Sequence, residues 1–167
     1  MSLKILKLNH EKSDIVVYTD GSYKKNGKYI KCGYGVHFPN GEMKDLGRPF
    51  TREPLTSQRA ELYAIYKALK RITKNLEFNS IHIYTDSEYS IKSLTIWINA
   101  WKKNNWKTAN KKKVSNQDII KKIDKILQKY PNKISFTHVP SHTGRNDTHS
   151  IGNEKADELA NLGASKS

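Results

Sequence analysis

Two segments far apart in the chain read almost alike: "IVVYTD", residues 15–20, and "IHIYTD", residues 81–86. Each is a β-branched and aromatic run ending in Tyr-Thr-Asp, the composition of a strand. Side chains alternate along a strand, so Tyr18 and Asp20 share one face, as do Tyr84 and Asp86. If the two strands are parallel neighbours, their aspartates sit at the same strand ends, about 4.8 Å apart. Carboxylates that close repel each other, and at least one pKa rises. A divalent cation removes that penalty, and hard oxygen ligands at the carboxyl ends of parallel strands suit Mg²⁺. Taken singly, Asp20-Gly21 reads equally well as a turn, and Asp86 as a helix N-cap. The repetition of Tyr-Thr-Asp is what favours a shared role.

The residues between and after the two segments supply the rest of a fold. Asn26-Gly27 is a hairpin signal, and "KYIKCGYGVHF" (28–38) is the return strand, where Gly33 and Gly35 allow a bend or bulge. "PNG" turns the chain again, into a third strand within "EMKDLGRPF" (42–50). The period then changes: in "TSQRAELYAIYKALKRI" (56–72), Leu62, Ile65, Leu69 and Ile72 recur at helical spacing, with Thr56 or Ser57 as cap. After the "YTD" strand come a helix in "SEYSIKSLTIWINAW" (87–101), a Lys- and Asn-rich interruption, "KKNNWKTANKKK" (102–113), and a helix in "SNQDIIKKIDKILQKY" (115–130) that Pro131 ends. "KISFTHVP" (133–140) is a fifth strand and "GNEKADELANLGA" (152–164) a final helix. Crossovers through helices favour a mixed sheet with parallel pairs and helices packed on it.

The 167 residues fit one domain with one sizeable core. A formal net charge of +14 points to an anionic partner, nucleic acid first. The single cysteine, Cys32, excludes an internal disulfide and fits a reducing, intracellular setting, with cytoplasm and nucleus not separable. The N-terminal stretch shows neither the apolar run of a signal peptide nor that of a membrane span.

Two further carboxylates are candidates. Glu61 reads as a first-turn residue of the helix after strand three, a position the helix dipole favours on its own account. It sits among Ala60, Leu62 and Ala64, at the edge of the core-facing side. Asp157 stands beside Ala156 in the last helix, where an ordinary exposed aspartate is the plain alternative.

"YTDGS", "TSQRAEL", "YTDSEY", "HVPSHTG" and "GNEKADELA" occur in this order from about Asp14 to Gly163. Each is weak alone; the ordered set resembles ribonuclease H of type 1, which cuts the RNA of RNA–DNA hybrids. The resemblance implies an α/β fold: a five-stranded mixed sheet, strands 1–3 an antiparallel meander, strands 4 and 5 parallel to strand 1, helices on both faces. It divides the chain into an extension, 1–13, and a single catalytic domain, 14–167. It implies four carboxylates, Asp20, Glu61, Asp86 and Asp157, holding two Mg²⁺ ions, with Mn²⁺ able to substitute. The implied mechanism is two-metal hydrolysis giving 5′-phosphate and 3′-hydroxyl ends. His142 matches a mobile-loop histidine that handles a proton or aids product release, and Glu154 a supporting acid.

By the same resemblance, Asn26, Ser57 and Gln58 contact the minor groove of the hybrid. Ser57 stands where the family usually has Asn. Thr56 and Asn116 match a pocket for a DNA phosphate, but Pro54 occupies the place of the family's Arg, leaving Arg52 as the nearest substitute. "WINAWKKNNWKTANKKK" resembles a basic protrusion whose channel Tyr89, Trp97 and Trp101 line, with Trp106 a packing residue. Lysines that bind phosphate, interleaved with aromatics, fit that role independently.

The expected enzyme is a monomer with the hybrid as partner and no membrane. A non-catalytic binding module on the same fold is disfavoured, because bare phosphate binding would gain from losing the carboxylates. The nuclease segment of a reverse transcriptase is the other alternative; the sequence shows neither polymerase segments nor the family's separate hybrid-binding module. Where the family passes quickly from "HxG" to "GNE", "RNDTHSI" intervenes, an apparent insertion at Arg145–His149. It puts in question the delivery of His142 to the metal site, and makes His149 a competitor for its role.

Overall fold

The computed structural model describes Ser13–Ser167; the expected extension, 1–13, lies outside the described residues but for Ser13. Five strands form one sheet in the order β3-β2-β1-β4-β5. They are β1 (Ser13–Asn26), β2 (Tyr29–His37), β3 (Leu46–Pro49), β4 (Phe78–Thr85) and β5 (Ile134–His138). β1, β2 and β3 pair antiparallel, whereas β1–β4 and β4–β5 are parallel. The meander and crossovers follow the sequence reading. Tyr18 pairs with Tyr84 and Thr19 with Thr85, so the two Tyr-Thr-Asp segments lie side by side in register.

Among the described residues, five α-helices pack on the sheet: α1 (Ser57–Asn75), α2 (Glu88–Lys92), α3 (Ile98–Lys103), α4 (Gln117–Lys129) and α5 (Thr148–Ser165), with a π-helical turn, Ser93–Trp97, joining α2 to α3. Gly21 packs against Ala60 and Glu61 of α1, while Gly35, the cross-strand partner of Asp20, packs against Ala156 and Ala160 of α5. Neighbouring residues of a strand face opposite ways, so α1 and α5 cover opposite faces. The core is built from Ile15 and Val17 of β1, Ile81 and Ile83 of β4, Leu62, Ile65, Leu69 and Ile72 of α1, and Ile120 and Ile123 of α4, all essentially inaccessible. No helix of the described residues is long and apolar enough to cross a membrane.

Three local expectations change. The two central residues of the first hairpin are Gly27 and Lys28, since Asn26 still pairs with Tyr29. Gly27, at φ +61°, takes the first turn position that favours glycine. Gly33 and Gly35 mark no bulge: both lie in continuous β2 pairing, and a Cβ would sit 2.2–2.3 Å from backbone atoms of α5. Their role is close approach of helix to sheet. The last helix begins at Thr148 rather than Gly152, because Asp147 caps it by accepting the Ser150 N–H at 2.9 Å. Thr148 and His149 of the apparent insertion are therefore helical, while Arg145–Asp147 form the loop that leads into the helix.

Candidate active site

Asp20 lies within β1, so it is not a turn residue. Asp86 follows β4 directly, yet it does not cap α2: Ser87 does, accepting the Ser90 N–H at 3.2 Å, while Thr85 Oγ1 accepts the Ser87 N–H. Both local alternatives for the aspartates thus fail, and both carboxylates are left for another purpose. Glu61 lies one turn deeper in α1 than the first turn, because Thr56 is the N-cap, accepting the Arg59 N–H at 3.1 Å. The short backbone approach at Gly21 brings Glu61 beside Asp20 in the middle of β1. One carboxylate oxygen from each of Asp20, Glu61 and Asp86 lies within 4.8 Å of the others.

This cluster is electrostatically poised for a cation. Asp20 is 3% and Glu61 9% exposed. Burial, then the charge of Glu61 beside it, drives the Asp20 carboxyl far above the carboxylate range. Burial raises Glu61 and Asp86 as well. The protein alone answers the like charge by holding protons; a divalent cation would displace them. Glu61 Oε2 is buried without a hydrogen-bond partner, an acceptor such an ion would satisfy. The donor set is all oxygen, which suits Mg²⁺. These residues fit the ion.

Asp157 of α5 lies close enough to Asp20 to add to the rise of its carboxyl pKa. Its carboxylate stays outside the tight trio. It is held by a relay: Ser22 Oγ donates to Asn161 Oδ1 at 2.7 Å, and Asn161 Nδ2 donates to Asp157 Oδ2 at 3.3 Å. Asn153 is 4% exposed and donates to Asp86 Oδ2 at 3.4 Å. The sequence patterns above do not single out Asn153 or Asn161. Their signal is nonetheless present: residues 153, 157 and 161 repeat every four positions and so share one helix face.

His142 is exposed, at φ +50°, in the loop before α5. It lies close enough to Asp86 to lower that carboxyl's pKa slightly, against the larger rise caused by burial. It lines a cavity of about 300 Å³ together with Asn153, Glu154 and Asp157, so Glu154 faces the same space. His149 does not compete there. Its Nδ1 lies 2.8 Å from the Tyr18 hydroxyl, and its ring lies 4.4 Å from that of Tyr84.

The other candidates gather on the side of α1 and α4. Thr56, Gln58 and Asn116 line a cavity of about 860 Å³ with Lys107, Lys113 and Pro54. Arg52 is not among its lining residues; its guanidinium lies 5.8 Å over the Tyr63 ring, so the cations this cavity offers a ligand are lysines. Arg59 also reaches it, but both of its terminal nitrogens bind Asp118. Asn116 adopts the left-handed conformation at φ +66° and donates to the Tyr89 hydroxyl at 2.9 Å, leaving α4 without a side-chain cap. From Tyr89 an aromatic row continues through Trp97, Trp101 and Trp106 at 6.0–6.3 Å. Trp97, in the π turn, is 39% exposed, whereas Trp101 and Trp106 pack on the core. Ser57 is exposed at the start of α1, and Asn26 at the hairpin.

Comparison with known proteins gives one picture. The RNase H family model matches residues 12–165. A probable ribonuclease H of Acanthamoeba polyphaga mimivirus is 39% identical over 136 residues, covering 80% of this chain and 58% of that one. A ribonuclease H of Nitrosomonas eutropha is 34% identical over 164 residues, covering 95% of this chain and 94% of its own. The chain spans 51–58% of the length of the first three curated relatives. The solution structure of the PFV RNase H domain superposes with a TM-score of 0.75 at 27% identity, covering 95% of this chain and 98% of that domain.

Proposed function

The chain belongs to the RNase H family, and on that footing we propose that it hydrolyses the RNA strand of RNA–DNA hybrids, cutting internally to leave 5′-phosphate and 3′-hydroxyl ends. The observation that carries this reading is the meeting of Asp20, Glu61 and Asp86, from three different elements, with oxygens within 4.8 Å. Like charges in a buried trio are retained against their mutual repulsion, and binding of a cation is the simplest use for them.

Asp20, Glu61, Asp86 and Asp157 are the proposed ligands of two Mg²⁺ ions, with Mn²⁺ as a substitute. Such ions supply an activated water for in-line attack and stabilise the leaving 3′ oxygen. Asn153 and Asn161 hold the Asp86 and Asp157 carboxylates in place by the hydrogen bonds they donate. His142 carries a proton near Asp86, a task for which imidazole is the side chain best suited near neutral pH. Glu154 supports it from the same cavity.

The hybrid is the proposed partner. Asn26, Ser57 and Gln58 would touch its minor groove, where 2′-hydroxyls distinguish RNA from DNA. Thr56 and Asn116 would hold a DNA phosphate, with Lys107 and Lys113 supplying the charge the family takes from arginine. Tyr89, Trp97 and Trp101 would line the path of that strand. The test is a panel of end-labelled substrates with Mg²⁺: hybrid, single-stranded RNA, RNA duplex and DNA duplex. Only the hybrid is cut. Equal cutting of single-stranded RNA sinks the specificity, and an intact hybrid across several divalent ions sinks the enzyme.

A further inference from the structure

Much of the net charge lies far from the carboxylates. Lys67, Lys70, Arg71 and Lys74 stud the C-terminal half of α1, with Arg48 of β3 beside them, around a cavity of about 410 Å³. Lys122, Lys125 and Lys129 of α4 face Lys70 and Lys74 across a second cavity, of about 510 Å³. Lys70 and Lys74 line both, so they form a basic ridge between the two cavities, and the second is a groove between α1 and α4. No carboxylate is among the described residues lining either cavity. The nearest acids of α4 are engaged elsewhere, Asp124 with Lys102 and Asp118 with Arg59.

Like charges crowd here among the described lining residues. Burial, then Lys70, Arg48 and Arg71, hold the Lys67 ammonium below its ordinary range. Coulomb repulsion of this kind is a standing cost that a polyanion cancels. The groove also offers apolar and aromatic surface: Tyr66, Ile126 and Tyr130 line its wall. Lys70 and Lys122 each sit 5.7 Å over the Tyr66 ring, and Lys129 5.7 Å over Tyr130. Lysines along a groove with aromatic faces between them are the features by which proteins hold unpaired nucleic acid. Cavities of this size take a nucleotide or two, not a duplex. Thirteen residues separate Glu61 from Lys74 on α1, about 20 Å at 1.5 Å per residue. The groove begins at Tyr66, five positions from Glu61, but neither the carboxylates nor any residue of the Thr56–Asn116 cavity lines it.

We propose that the groove between α4 and the C-terminal half of α1 binds a single-stranded nucleic-acid segment through its phosphates, with Tyr66 and Tyr130 against its bases. In the proposed enzyme this segment would be an unpaired strand continuing from a hybrid, a consequence that rests on the nuclease function proposed above; the binding itself does not.

The test uses the whole chain in EDTA, so that nothing is cut. Binding of a labelled single-stranded 12-mer is followed by fluorescence anisotropy as salt is raised. Two variants reverse charges at exposed lysines, Lys70→Glu with Lys74→Glu, and Lys122→Glu with Lys125→Glu; unchanged melting confirms folding. Each variant is expected to bind the single strand at least tenfold more weakly. The slope of log affinity against log salt should fall by about 1.4, or about 0.7 for each of two phosphates no longer neutralised. Turnover of a short blunt hybrid with Mg²⁺ should stay within twofold of wild type. Wild-type-like binding by both variants overturns the groove. So does an equal loss of single-strand binding and of hybrid turnover, which would mean one diffuse field. If the hybrid is never cut but the variants still lose the single strand, the groove stands and the nuclease function alone fails.

Discussion

His149 Nδ1 lies 2.8 Å from the hydroxyl of Tyr18, and the His149 ring lies 4.4 Å from Tyr84 at 34°. Those two tyrosines belong to the repeated Tyr-Thr-Asp segments and stack on each other at 5.0 Å. The added turn of α5 therefore docks on the same two strands that carry Asp20 and Asp86. Gly152 makes room, since a Cβ there would meet the Tyr18 ring at 2.4 Å.

Tyr18 is 1% exposed, so losing its hydroxyl partner leaves a buried donor unmet, at about 1–3 kcal/mol. His149→Phe keeps a ring on Tyr84 and should show that loss in urea unfolding. Tyr18→Phe removes the hydroxyl, so the double variant should cost little more than either single one. A double-mutant cycle is expected to give a coupling of about 1 kcal/mol; additive costs would show that the contact contributes nothing.

His142→Ala should behave in the opposite way. The residue is exposed, so melting should not move. Turnover of hybrid should fall about 10²-fold, the lower range for losing a positioned proton carrier. A His149→Ala variant that lost turnover to the same degree, with His142→Ala unimpaired, would reverse the two roles.

The raised carboxyls of Asp20, Glu61 and Asp86 set a pH dependence of stability. Between the unfolded carboxylate pKa, about 4, and their higher folded values, the native state binds more protons than the unfolded one. Stability in EDTA should therefore fall as pH rises from 5 to 9. Mg²⁺ should raise the melting temperature, and by more at pH 9 than at pH 5. Asp20→Asn should stabilise the EDTA form, on the order of 2 kcal/mol given 1.36 kcal/mol per pKa unit, and flatten the Mg²⁺ effect. A melting temperature that climbs with pH in EDTA would contradict this assignment of charge.

Gly35→Ala should destabilise by about 1–3 kcal/mol or more, because its Cβ would lie 2.3 Å from the Ala156 carbonyl oxygen. Gly41→Ala meets no atom, and strain at φ +73° is its only cost. A chemical-denaturation comparison in which the two cost the same would argue against helix–sheet contact as the reason for Gly35.

What is legible in the sequence is periodic or repeated. The Tyr-Thr-Asp repeat carries the pairing of β1 with β4, since register is set where a face is buried. What is not legible depends on contacts between distant segments. Gly33 and Gly35 read as a bulge because the approach of α5 leaves no local trace. The start of α5 reads four residues late because Asp147, its cap, lies within a polar run that also reads as loop. Asn153 and Asn161 gain meaning only once α5 lies over Asp86 and Ser22. The carboxylate trio itself combines a repeat, visible locally, with Glu61, whose first-turn reading conceals its burial.

The most direct measurement is single-turnover cleavage of an end-labelled RNA–DNA hybrid by wild type and Asp86→Asn, with Mg²⁺ and with EDTA. Wild type with Mg²⁺ should cut the RNA strand internally and leave 5′-phosphate ends, while Asp86→Asn should be slower by about 10³-fold or more. EDTA should abolish cleavage. Cleavage by Asp86→Asn at the wild-type rate, or cleavage that persists in EDTA, would contradict the assignment of these carboxylates to a metal-dependent nuclease.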